Sequence, residues 1–275
     1  AFTGKQPLHA TDRIAFLAEQ RVDAADQRNI LGTIVTAPAG TLERADFHIW
    51  DEALQTPAFA WVDFDLDGDS DFAVFGVNTT NRQAGVYLND GSGVFSRRNL
   101  ALPLFNSARL AWGDYNGDGY PDLAVAGRDV DNAPATLLLR NEGGAALADS
   151  GIALPQADAG LAWGDYDQDG DVDLATSAGK LLRNQNGPHS TDTGFALVGG
   201  DPSKAVSGAD LDNDGLLDLE INGKINQNLG GSLTNDPLNG PTVGCFFDAP
   251  PIWHDFNGDG LLDAAAAGRI YQNMG

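Results

Sequence analysis

Five short stretches of this chain place acidic residues at alternate positions around a glycine. Between 163 and 173 the run reads Trp-Gly-Asp-Tyr-Asp-Gln-Asp-Gly-Asp-Val-Asp, so Asp165, Asp167 and Asp169 alternate, Gly170 follows and Asp173 closes the run. The same nine-residue plan gives Asp63, Asp65, Asp67 and Asp71; Asp114, Asn116, Asp118 and Asp122; Asp210, Asp212, Asp214 and Asp218; and Asp255, Asn257, Asp259 and Asp263. Carboxylates at alternate positions of a tight loop can converge on one point, which suits a hard cation. Ca2+ takes about six to eight oxygens at short range. The glycine at position 6 makes the sharp turn that residues with side chains resist. These residues therefore read as calcium loops, holding up to five ions.

An EF-hand loop opens the same way, but it needs a glutamate at position 12 and a helix on each side. Position 12 here is Val74, Val125, Thr176, Ile221 and Ala266. The flanks are short apolar runs of strand length with glycines close by, such as Leu161-Ala162-Trp163 before the third loop and Leu174-Ala175-Thr176 after it. Each loop thus joins two strands. A single Asp-Gly cluster is an ordinary turn former; five in one spacing series are a metal-site pattern.

The first loop aspartates are 51, 51, 45 and 45 residues apart. Such a period marks a repeat array, and propeller blades of four strands fall within it. In one unit, strand A is expected at 110–113, the metal loop next, strand B at 122–126, strand C at 136–140 and a weaker strand D around 146–152. Residues 1–57 read as a sixth, degenerate unit without a metal loop, with Asp12 in the place of a loop-closing aspartate and strands at 30–35 and 46–50. The expectation is an all-β chain, a β-propeller of four-stranded blades forming a single domain over 1–275, with six repeat units counted. Because the sequence stops after the last C strand, the last blade is expected to be incomplete, to be finished by a partner chain, or to belong to a longer chain of which this is a fragment.

The pattern Asp-x-Asn/Asp-x-Asp-Gly-x-x-Asp-Leu, then Gly, then Tyr/Leu-Leu-Asn/Arg-Asn-x-Gly resembles the VCBS and FG-GAP repeats over residues 58–275. That family builds calcium-bearing propellers such as those of integrin α-subunits, some lectins, bacterial surface proteins and certain polysaccharide lyases. The resemblance implies side-chain ligands at positions 1, 3, 5 and 9 and a backbone carbonyl at position 7, from Asp69, Tyr120, Asp171, Leu216 and Leu261. Two features depart from the family: its propellers usually have seven blades, and the Gly-Ala-Pro element is absent.

The formal charge of −23 is consistent with metal-site acid, because 20 of the 39 Asp and Glu lie inside the five loops. Five Ca2+ would bring the net charge to −13. No basic stripe is present to neutralise phosphates, so nucleic acid is not an expected partner. No apolar run reaches the length of a membrane span. Cys245, the one cysteine, has no partner for an internal disulfide. No nucleophile elbow or zincin pattern is present, and the four histidines are scattered. Trp61, Trp112, Trp163 and Trp253 each sit two residues before a loop and read as packing between neighbouring blades.

The connections between strands B and C are expected to be long in the first three units (20–29, 77–82 and 128–134) and only two residues long in the last three. Function tends to sit on loops held by a rigid scaffold. Arg21, Arg28, Asn81, Arg82, Arg128, Asp129, Asp131 and Asn132 are therefore the candidate partner-binding residues. The functional expectation is a calcium-stabilised binding or adhesion module for a glycan or protein, or a subunit of a surface assembly, placed outside the cell, at its surface or in the periplasm. A polysaccharide lyase or another carbohydrate-active enzyme on the same scaffold is the alternative, and no catalytic constellation favours it.

Overall fold

The computed structural model describes residues 54–55, 57–78, 81–184, 190–192, 197, 199–201, 203–230, 233–234, 251–266 and 269–274, with the strand pairs 35–36 and 42–43. Among the described residues there are strands and connections and no helix, so the all-β class holds. The chain divides into two compact units, 1–105 and 106–275.

In the first unit, β1 (Val35–Thr36) pairs with β2 (Leu42–Glu43). Apart from Val35, the expected strands at 30–35 and 46–50 lie outside the described residues, as do Arg21 and Arg28. A four-stranded antiparallel meander follows: β3 (Ala58–Val62), β4 (Asp71–Val77), β5 (Arg82–Asn89) and β6 (Phe95–Arg98). Its core joins Leu54, Phe72, Val74 and Tyr87. The Phe72 and Tyr87 rings stack with centroids 5.0 Å apart, and Trp61 tilts onto Phe72 at 5.1 Å.

The second unit repeats the meander. One sheet holds β7 (Phe105–Gly113), β8 (Asp122–Asp129), β9 (Pro134–Asn141) and β10 (Leu147–Asp149). The next holds β11 (Leu161–Gly164), β12 (Asp173–Thr176), β13 (Lys180–Asn184) and β14 (Ser190–Asp192). A third holds β15 (Val206–Ala209), β16 (Asp218–Ile221), β17 (Lys224–Asn228) and β18 (Leu233–Thr234). The last has β19 (Ile252–His254), β20 (Asp263–Ala266) and β21 (Arg269–Tyr271).

The core of this unit lies between successive sheets. Tyr115, Ala124 and Leu138 of one sheet bury against Leu174 and Leu182 of the next. Tyr166, Ala175 and Leu181 in turn bury against Val206, Leu219 and Ile221. Both faces of the inner strands are covered, which is why strand B is an apolar run after its aspartate in β4 and β8; β12 and β16 are also buried at all four positions, β16 with Glu220 among them. Trp163 and Trp253 make contacts between neighbouring sheets as expected, whereas Trp61 packs on Phe72 and Phe95 of its own sheet. Trp163 Nε1 donates to the Ala111 carbonyl at 3.2 Å, and its ring lies where a Cβ on Gly113 would come within 2.7 Å. Trp253 Nε1 likewise donates to Ser207 Oγ at 3.1 Å.

The connections expected to be long at 77–82 and 128–134 are shorter than the sequence reading gives, because the strands continue into them. β4 runs through Val77 and β5 starts at Arg82, while β8 runs through Asp129 and β9 starts at Pro134. The ladder pairs Val77 with Arg82 and Arg128 with Pro134. Strand B is thus seven and eight residues long in these two repeats and four in the later ones. The difference between repeats lies in hairpin length, not in a long irregular loop.

Candidate metal centres

Each acidic loop closes an antiparallel pair in one register. The residue before the loop sits opposite position 9: Val62 opposite Asp71, Gly164 opposite Asp173, Ala209 opposite Asp218 and His254 opposite Asp263. Position 9 opens strand B and is buried, whereas positions 4 to 6 stand in solvent. Position 2, which the sequence reading passed over, is the apolar anchor of the loop: Phe64, Tyr115, Tyr166 and Leu211 are buried, and in the fifth loop Phe256 is exposed.

The backbone inside the loops is held by their own carboxylates. The position-1 aspartate accepts the N–H groups of positions 5 and 6, as where Asp165 takes Asp169 N at 3.1 Å and Gly170 N at 3.0 Å. The same two bonds recur at Asp63, Asp114, Asp210 and Asp255. The position-5 carboxylate accepts the N–H of position 7 in every copy, from Asp69, Tyr120, Asp171, Leu216 and Leu261. Gly68, Gly119, Gly170, Gly215 and Gly260 at position 6 have φ between +87° and +95°, which is why only glycine stands there. Position 4 is also left-handed in all five, at Leu66, Gly117, Gln168, Asn213 and Gly258. Residue type did not reveal that, because two of these five side chains are ones that resist the conformation.

Three loops bring carboxylates of positions 1, 3 and 9 together, with ligand atoms within 4.8 Å of one another: Asp63, Asp65 and Asp71; Asp165, Asp167 and Asp173; and Asp210, Asp212 and Asp218. In the second and fifth loops of the series the chemistry changes slightly. Loops two and five carry Asn116 and Asn257 at position 3, and each amide is paired with the position-5 aspartate, Asp118 or Asp259. Burial raises the position-9 carboxylates, to about 6 at Asp71, Asp173 and Asp218 and to about 7 at Asp122, against the pull of two backbone N–H donors on each. Burial, then the neighbouring Asp67 and Asp63, also raises Asp65.

The donor set fits a calcium ion. Oxygens from three carboxylates converge, and Asp65 Oδ1 is buried with no hydrogen-bond partner. An oxygen that has lost water and found no donor gains most from a cation. Asp63, Asp65 and Asp71 would hold the ion in the first loop, with the equivalent residues in the third and fourth. Calcium would supply the positive charge that such a cluster lacks and draw its buried carboxylates into the ionised state.

A further residue belongs to each centre. The asparagine that ends strand C donates its backbone N–H to the position-9 carboxylate: Asn89 to Asp71, Asn141 to Asp122, Asn184 to Asp173, Asn228 to Asp218 and Asn273 to Asp263, at 2.7–2.8 Å. In the second unit its side-chain amide reaches the position-2 carbonyl of the preceding loop, from Asn184 to Tyr115, Asn228 to Tyr166 and Asn273 to Leu211. The signal was present in the Asn-x-Gly at the end of four C strands and the Asn184-Gln-Asn-Gly of the third, but a turn preference accounted for it equally well.

Of the candidate partner residues, Arg128 and Asp129 hold their own hairpin. Arg128 donates to the Asn132 carbonyl at 3.2 Å and pairs with Asp158, while Asp129 caps the turn through the N–H groups of Asp131 and Ala133, both at 2.9 Å. Asp131 and Asn132 are exposed at its tip. Asn81 donates its N–H to Asn78 Oδ1 at 2.6 Å, and Arg82 opens β5.

The comparisons with known proteins agree with the loops. The family model for the FG-GAP-like repeat matches residues 63–125 and again 114–176. These are FG-GAP-like repeats. Each match begins at a loop's first aspartate and ends in strand B of the next repeat, so it holds two loops, strands B, C and D of one sheet and strand A of the next. The loops at Asp210 and Asp255 lie beyond the matched residues but keep the same hydrogen bonds. No curated protein matches the chain. Among solved structures, the crystal structure of the V. cholerae biofilm matrix protein Bap1 is similar at 15% identity and a TM-score of 0.34, over 66% of this chain and 30% of that one. The chain thus spans less than a third of that protein. Among the described residues, no helix is long and apolar enough to cross a membrane.

Proposed function

We propose that this chain is a calcium-stabilised binding module that works outside the cell or at its surface, with glycan or protein as its ligand. The observation that carries the reading is the convergence of the position-1, position-3 and position-9 carboxylates within 4.8 Å, repeated in three loops. Held together without a cation, such carboxylates repel one another. Calcium modules that work outside the cell bind with dissociation constants of about 10⁻⁴–10⁻³ M, which cytosolic calcium would leave empty. All five loops take part, with position 5 and the position-7 carbonyl completing each coordination sphere.

The successive antiparallel meanders are read as blades of a β-propeller forming one domain over 1–275, with 1–57 as a blade that has no metal loop. The two long hairpins are the points offered to the partner: Asn81 and Arg82 on one, and Asp131 and Asn132 on the other, braced by Arg128 and Asp129, with Arg21 and Arg28 contributing from the N-terminal region. Supporting this is the rigidity of the second hairpin, where Arg128 and Asp129 fix the turn so that exposed groups are presented at low entropic cost.

A glycan array run with calcium and with chelator, followed by mass analysis of polysaccharides incubated with the protein, tests the reading. Calcium-dependent binding that leaves the chains intact is the expected result. New unsaturated oligosaccharide ends would replace the binding module with a lyase.

A further inference from the structure

The residue just before the strand-C asparagine reaches position 3 of its own metal loop in the third and fourth repeats, and its chemistry differs from repeat to repeat. In the first repeat it is Leu88, which brings no polar atom, and Asp65 Oδ1 is left buried without a hydrogen-bond partner. In the third it is Arg183, whose Nε pairs with Asp167 Oδ2 and whose Nη2 lies 3.5 Å from Asp169 Oδ2. In the fourth it is Gln227, whose amide donates to Asp212 Oδ2. In the second, Arg140 turns away from the loop to Glu142, with Nε 3.0 Å from its carboxylate.

We propose that this residue sets the calcium affinity of its loop, with Arg183 acting as a built-in competitor cation that makes the third loop a weaker site than the first. The inference rests on the calcium reading given above. Asp167 is one of the three converging carboxylates of the third loop, and a guanidinium already lies in ion-pair contact with the oxygen that a metal would take. A calcium ion entering there must displace a charge-assisted pair and meets a site whose negative charge is partly offset. Calcium entering the first loop displaces no partner from Asp65 Oδ1. The neutral amide of Gln227 places the fourth loop between these extremes. One strand position thereby gives loops of nearly identical sequence a graded response, so that the first fills at lower calcium than the third.

Calcium titration calorimetry on the full chain tests this, with Arg183→Leu, Arg183→Gln and Leu88→Arg, each also melted in chelator. Arg183→Leu should tighten one binding step by about tenfold, the scale of one partly exposed ion pair with its hydrogen bonds. That gain should vanish in the double variant Arg183→Leu/Asp165→Ala. Arg183→Gln should give a smaller gain, and Leu88→Arg should weaken one step by a similar factor. In chelator Arg183→Leu should melt lower than wild type, because the third loop has lost its internal cation, so calcium affinity and metal-free stability move in opposite directions. A lower melting temperature in both conditions with unchanged affinity would make Arg183 a purely structural residue and overturn the proposal while calcium binding stands. Wild type and variants that all fail to take up calcium would overturn the calcium reading itself.

Discussion

The Asn228 side-chain amide donates to the Tyr166 carbonyl at 2.7 Å, 62 residues earlier in the chain. Asn228 gives its own N–H to Asp218, and Tyr166 gives its own to Asp173, so the two residues hold a carboxylate apiece and each other. The link repeats on both sides, from Asn184 to Tyr115 and from Asn273 to Leu211. The loops beginning at Asp114, Asp165, Asp210 and Asp255 are therefore joined by one run of buried or half-buried hydrogen bonds through their position-9 aspartates.

Asn228→Ala should destabilise the protein by about 1–3 kcal/mol, because the Tyr166 carbonyl is left buried without its donor. Urea unfolding monitored by tryptophan fluorescence measures the loss. The same variant should weaken calcium binding at two steps rather than one, since the relay fixes loops on both sides of it. A loss confined to a single step would limit Asn228 to its own loop.

Gly170→Ala should cost about 1–3 kcal/mol, since φ at that position is +94° and a Cβ meets no neighbour within 4 Å. The penalty is one of backbone conformation, not of crowding. Gly113→Ala provides the contrast, because there a Cβ would come within 2.7 Å of the Trp163 ring. Crystal structures of the two variants should show an undisturbed neighbourhood at the first and a displaced Trp163 at the second.

Metal-free protein should become less stable as pH rises from about 4 to 7. The native carboxylates of Asp71, Asp173 and Asp218 are raised to about 6 and that of Asp122 to about 7, above the unfolded value, so the native state binds more protons across this window. Their stabilising contribution is complete below the unfolded pKa and is lost as pH climbs through the folded values. Melting in chelator as a function of pH measures the slope. With calcium present the slope should flatten or reverse, because the ion favours the ionised form.

Much of this was legible in the sequence for a physical reason: a metal loop needs particular residue types at fixed offsets. Asp165, Asp167, Asp169, Gly170 and Asp173 declare themselves one at a time, and five copies set the period. Strand B was equally plain, since burial on both faces leaves only apolar residues between Asp122 and Ala126. Hairpin length was not. Arg128 and Asp129 look like loop residues because they are polar, yet a ladder pairing and an ion pair with Asp158 extend the strand through them. The Asn228 link was also hidden, because its partner is a backbone carbonyl and any residue type at Tyr166 supplies one. Arg183 escaped notice likewise, since a lone basic residue on a strand has no pattern of its own.

Calcium content and its effect on melting test the central claim most directly. Protein dialysed against millimolar calcium should carry up to five ions per chain by elemental analysis. Each site adds about 1.4 kcal/mol at a tenfold excess of free calcium over its dissociation constant, so together they make up a large part of a typical folding free energy of about 5–15 kcal/mol. The expected result is a melting temperature that drops steeply in chelator and recovers when calcium is returned. Equal melting temperatures in both conditions, with no calcium found in the dialysed protein, would contradict it.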